Sequence, residues 1–77
     1  MTLQESHGRI WGAIDRIARA HGLSTSGLAL SVGLDATAFN PSKRAYPDGR
    51  LRWPSTGTVC RIMQKYKMDF AAFGRYM

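Results

Sequence analysis

One segment constrains this chain more than any other: residues 25–44, TSGLALSVGLDATAFNPSKR. Leu28, Ala29 and Val32 have the spacing of a single helix face. Gly33 then breaks the pattern, Leu34 and Phe39 resume it on a second short helix, and Lys43 and Arg44 follow at once. The small Ala29 lets the two helices approach closely, and Gly33 lets the turn between them take a positive φ at low cost. Two helices joined by a short turn containing glycine read as a helix-turn-helix.

The flanking sequence predicts three more helices and no strand. The first runs from about Glu5 to Ala20, with Ile10, Ile14, Ile17 and Ala18 at helical spacing and Trp11 widening the same face. Gly22 is its natural stop, and His21 sits near the negative end of its dipole. Ser24 caps the second helix, and Leu23 and Leu28 have the spacing of a hydrophobic staple. Asp35 and the pair Leu34 and Phe39 repeat the device for a third helix over about 35–40, which Asn40-Pro41 ends. Residues 41–54 read as a long loop with a turn at Pro47-Asp48-Gly49. The fourth helix begins after Ser55 and buries Val59, Ile62, Met63 and Tyr66. The fifth, capped by Asp69, buries Phe70 and Phe73. The expectation is one domain over residues 1–77, all-α, a compact five-helix bundle.

Size and charge narrow the function. A chain of 77 residues buries only about 60% of its unfolded surface, which implies modest stability. Cys60 is the single cysteine, so no disulfide forms within the chain, in keeping with a reducing compartment. No apolar run is long enough to span a bilayer, and the opening MTLQESHGR lacks the apolar stretch of a signal peptide. These features predict a soluble, cytoplasmic protein. Eleven Lys and Arg oppose five Asp and Glu, for a formal charge of +6, and such a balance draws polyanions. Lys43, Arg44, Arg50 and Arg52 lie close together, opposed only by Asp48, so this stretch carries half the net charge. It directly follows the second helix of the motif, the one that such motifs place in the DNA major groove. The residues therefore predict sequence-selective binding of double-stranded DNA.

Ala29, Gly33, Leu34 and Phe39 stand where the phage-repressor-like helix-turn-helix pattern has Ala, Gly, aliphatic and apolar residues. With one helix before the motif and two after it, nearly the whole chain resembles that family. The stretch LDATAFNPSKR and the later RWPS are similar to N-terminal domains of bacterial repressor-like regulators, some of which also carry a serine-peptidase domain; this sequence holds no such catalytic domain. The resemblance implies a lambda-repressor-like fold and transcriptional regulation. Where the family often has glutamine at the starts of the second and third helices, this chain has Thr25 and the small residues Ala36 and Thr37. The resemblance thus carries over the scaffold rather than the base contacts.

If Phe39 faces inward, Thr37, Ala38 and Asn40 face outward. Asn pairs with adenine, and Ala or the Thr methyl can touch the thymine methyl; Asn40 can instead end the turn before Pro41. Arg44 suits guanine as well as phosphate. Ser42, Lys43, Arg50 and Arg52 are candidate phosphate contacts, with a solvated loop as the bland alternative. Ser24, Thr25 and Ser26, at a helix N-terminus, can bind phosphate or simply cap. Trp53 either stacks on a base or anchors its loop on the core.

His7, His21 and Cys60 match no zinc spacing. The scattered carboxylates form no acid–base pair, and no nucleophile motif or P-loop is present. The sequence therefore predicts no enzyme, no cofactor, no metal and no small-molecule ligand. One recognition helix reads few base pairs, so a homodimer on a palindromic site is expected, with the contact in Asp69 to Met77. The competing reading is a protein-interaction module, such as an antitoxin or adaptor. RNA binding is less favoured, because a stacking surface of aromatics is missing.

Overall fold

Thr2 opens the first helix with a capping box. Its hydroxyl accepts from the Glu5 N–H, and the Glu5 carboxylate reaches back to the Thr2 N–H. The computed structural model describes all 77 residues: α1 (Leu3–Ala20), α2 (Thr25–Ser31), a 3-10 turn (Pro41–Lys43), α3 (Thr56–Lys65) and α4 (Phe70–Arg75), with no strand. Ser24, Ser55 and Asp69 cap α2, α3 and α4 by accepting from the N–H groups of Gly27, Thr58 and Ala72. The α1 end closes through Leu23 N–H to Ala18 C=O at 2.8 Å.

The apolar stripes of α1 and α2 meet in one core. Ala13, Ile14, Ile17, Leu28, Ala29 and Ile62 are fully buried, with Trp11, Ala18, Val32, Phe39 and Phe73 beside them. Val59, Met63 and Tyr66 are half-buried against this core. Ser31 ties two helices together. Its hydroxyl donates to the Leu28 carbonyl at 2.7 Å, so the Tyr66 phenol, 2.6 Å away, donates to it. At the α2 exit Gly33 takes φ +79°, and Leu34 N–H closes onto Ala29 C=O at 2.9 Å. No helix is long and apolar enough to cross a membrane.

The structure departs from the sequence reading in three places. Residues 35–40 are not a helix. They form two successive tight turns, Ala38 N–H to Asp35 C=O at 3.0 Å and Asn40 N–H to Thr37 C=O at 3.1 Å. Between the Asp35 cap and Pro41 too few residues remain to offset helix nucleation. Asn40, just before the proline, is extended at ψ 152°. The count is therefore four α-helices. Phe70, expected in the core, is 67% exposed. Met68, Phe73 and Tyr76 already cover the core on that side and leave Phe70, at the first helical position, facing solvent. Finally, the 41–54 loop is organised rather than open, as described next.

Candidate nucleic-acid interface

The Pro47-Asp48-Gly49 turn closes a short β-hairpin. Gly49 N–H bonds Tyr46 C=O, and Tyr46 N–H bonds Arg50 C=O, both at 2.9 Å. Ala45 and Leu51 form an antiparallel bridge, and Arg52 N–H reaches Arg44 C=O at 3.1 Å. Gly49 adopts φ +88°, which a three-residue hairpin loop requires of its last position. Side chains alternate along paired segments, so Arg44, Tyr46, Arg50 and Arg52 share one face of the hairpin. Tyr46 lies opposite Arg50 and diagonal to Arg52. The Arg50 and Arg52 guanidinium carbons sit 4.7 and 5.3 Å from the Tyr46 ring centroid.

Three residues of α1 hold the base of this hairpin. His7, Trp11 and Asp15 recur every fourth position and so share one helix face. His7 Nε2 lies 2.7 Å from the Arg44 carbonyl and 3.0 Å from the Arg52 carbonyl. Both partners only accept, so Nε2 carries the proton and shares it between them. Trp11 Nε1 donates to the Arg52 carbonyl at 2.9 Å. Trp53 meets the His7 ring edge-on, with centroids 5.3 Å apart. These long-range contacts were missed in the sequence. The only trace of them is the periodic placing of three polar-tipped residues on a helix face otherwise buried.

Arg44, expected at a base edge, is instead turned inward. It donates to both Asp15 carboxylate oxygens at 2.9 and 2.7 Å, and to the Phe39 carbonyl at 3.2 and 2.8 Å. Its guanidinium lies 4.8 Å from the Trp11 ring centroid. A side chain held by four hydrogen bonds and 19% exposed is a structural pin, not a free reader of bases.

Beside the hairpin lies an open hollow of about 360 Å³ between the 35–39 turns and the start of α3. Thr37, Ala38, Lys43 and Arg52, all expected contacts, line it together with Leu34, Trp53, Ser55 and Thr58. Trp53 is 40% exposed, so it neither leaves the surface nor is buried as an anchor. Thr37 is exposed, whereas Ala38 and Asn40 are half-buried. The Asn40 side chain makes no capping bond. Ser24, Thr25, Ser26, Ser42 and Arg50 do not line the hollow. The Ser24 hydroxyl is engaged as the α2 cap, Thr25 and Ser26 are half-buried, and Ser42 is exposed.

Asp35 also lines the hollow, but its charge is held locally. The Thr37 N–H and hydroxyl both donate to Oδ1 at 2.9 Å. The backbone hydrogen bond above all, then the hydroxyl, holds this carboxyl below the usual aspartate range, and Lys43 adds to the effect. Every other carboxylate is engaged too: Glu5 and Asp69 in helix caps, Asp15 on Arg44, and Asp48 on Arg50 at 2.7 Å. Of the cations, Arg44 and Arg50 alone have a carboxylate partner. The hollow thus presents Lys43 and Arg52, neither in a salt bridge, together with the hydroxyl-bearing Thr37, Ser55 and Thr58 and the Asp35 carboxylate. Such a surface can hold anionic oxygens by charge and by hydrogen bonding. No cluster of His, Cys, Asp or Glu capable of holding a metal is present. The chain matches no family model, no curated protein and no solved structure.

Proposed function

We propose that the chain is a sequence-selective binder of double-stranded DNA that regulates transcription as a repressor, by occupying an operator. The carrying observation is the joining of two features at one place: the arginine-bearing hairpin face and the hydroxyl-rimmed hollow ending at Thr37. Cations without carboxylate partners suit phosphates, which position a protein on the duplex. Thr37, exposed on a tight turn, is the side chain best placed to meet a base edge. On this reading α1, α2, α3 and α4 serve as the scaffold of a lambda-repressor-like domain. The 35–40 turns take the place of the reading helix, and a second copy occupies the other half of a palindromic site.

Selection from a randomised duplex library, followed by mobility shifts at two salt concentrations, tests the proposal. A recovered motif that binds the wild-type chain and loses preference at one position in Thr37→Ala is the expected result. No retained duplex at low salt would overturn it. A protein-interaction module is the second reading, favoured by Leu30 and Phe70, which are 61% and 67% exposed; that outcome would leave the library unselected.

A further inference from the structure

Tyr46 is the feature that the proposed function leaves unexplained. It is a 40% exposed aromatic on a hairpin with no apolar partner on its own face. Its ring instead carries two guanidiniums, Arg50 directly across the hairpin and Arg52 on the diagonal. Two like charges gathered on one ring repel each other. Asp48 meets Arg50 alone, while Arg52 has no carboxylate partner. An anion beside the ring relieves that repulsion.

We propose that Tyr46 is a positioning residue that holds Arg50 and Arg52 as a paired clamp for consecutive phosphodiesters of one DNA strand. The proposal rests on the DNA reading above and assigns to it the sequence-independent part of the contact. The two guanidinium carbons can be no farther apart than the sum of their distances to the ring, 4.7 and 5.3 Å. Phosphates of one strand follow one another every ~3.4 Å of axis and lie about twice as far apart in space because the strand winds round it, so a pair bounded in this way can reach neighbouring phosphates but not distant ones. The hairpin is anchored at its base by His7 and Trp11 rather than by Tyr46. Replacing the ring therefore frees Arg52 and leaves Arg50 held by Asp48 alone, without releasing the hairpin. The clamp is organised before the duplex arrives, which lowers the ordering cost of two long side chains.

The test is fluorescence anisotropy of the 77-residue chain on a random-sequence duplex over a salt series, with Tyr46→Leu and Tyr46→Phe alongside. Tyr46→Leu is expected to weaken binding about tenfold, the ordering cost of side chains that the ring no longer holds in place. Its log K against log salt should flatten by about one phosphate's worth. Tyr46→Phe, which keeps the ring, should bind as the wild type does. Thermal melts of each variant report whether the fold is kept. A second readout needs no variant: the Nε–H resonances of Arg50 and Arg52 should shift together as duplex is added. Wild-type binding with an unchanged Tyr46→Leu, or with those resonances unmoved, overturns the clamp alone. No duplex binding by the wild type overturns the DNA reading and the clamp with it.

Discussion

The Arg44 guanidinium grips the Asp15 carboxylate with two hydrogen bonds, 2.9 and 2.7 Å long, across 29 residues of sequence. The pair joins the hairpin base to α1 and lies over Trp11. Hydrogen bonds to charged groups are the stronger kind, so Asp15→Ala should cost about 1.5–3 kcal/mol. For a domain of this size each kcal/mol lowers Tm by about 4–8 °C. Arg44→Ala should cost at least as much, because the Phe39 carbonyl loses its donors as well. Thermal unfolding of both variants and of the double variant checks this, since partners in contact are expected to be non-additive. An Arg44→Ala chain that melts like the wild type would return Arg44 to the list of DNA contacts.

Asp48 opposes the proposed phosphate contact. Its carboxylate holds the Arg50 Nε at 2.7 Å, with side chains 57% and 71% exposed. Such an exposed pair is worth only ~0–1 kcal/mol, so a phosphate can displace it. Asp48→Asn is expected to tighten binding to duplexes of any sequence by about two- to fivefold, the factor that corresponds to this energy. With Arg44 turned inward, Lys43, Arg50 and Arg52 remain for phosphate. Each neutralised phosphate contributes about −0.9 to the slope of log K against log salt, so the wild-type slope from this face should be about −3. Anisotropy titrations measure both quantities. An Asp48→Asn chain that binds no better would place Arg50 outside the contact.

The helix starts were legible in the sequence because a cap is a local device. Ser24, Ser55 and Asp69 each bond an N–H three residues on, and nothing distant is needed to see it. Asp35 carries the same signal, yet its oxygen accepts from Thr37 two residues on and closes a turn, not a helix. There the local cue was right about a start and wrong about what followed, because Pro41 lies too near. The hairpin failed differently. Its turn was readable from Pro47, Asp48 and Gly49, but the pairing depends on His7 and Trp11, 37 to 45 residues away. Sequence separation also hid the partner of Arg44, because Asp15 lies 29 residues away. Thr37, Lys43 and Arg52, chosen from the sequence for their polar side chains, do come together at one hollow, although the Thr37 hydroxyl is taken up by Asp35.

The 35–37 turn should respond to acid. Its aspartate has a lower pKa folded than unfolded, chiefly through the Thr37 backbone N–H. The turn's stabilisation is therefore complete above the unfolded value of ~3.9 and is lost as pH falls through the lower, folded value. Following the Thr37 amide resonance from neutral pH downward should give a midpoint below the ordinary aspartate value. Asp35→Asn should show no such titration. A midpoint at or above the ordinary value would mean that the two Thr37 hydrogen bonds do not persist in solution.

The last expectation concerns assembly. Residues 69–77 divide between core and surface: Phe73 is buried, while Phe70 and Met77 are 67% and 37% exposed. On the proposed DNA reading a short turn would address few base pairs, and helix-turn-helix proteins gain length by pairing copies on two half-sites about one DNA turn apart. If α4 supplies the two-fold contact, Phe70→Ser should leave the fold within about 0.5 kcal/mol of the wild type, as exposed substitutions usually do. The same change should prevent the second copy from joining the duplex. Analytical ultracentrifugation of each protein with the selected palindromic fragment reads the stoichiometry directly. Two wild-type chains and one Phe70→Ser chain per duplex are expected. A single wild-type chain per specific duplex would contradict pairing, and two chains of the variant would move the contact away from α4.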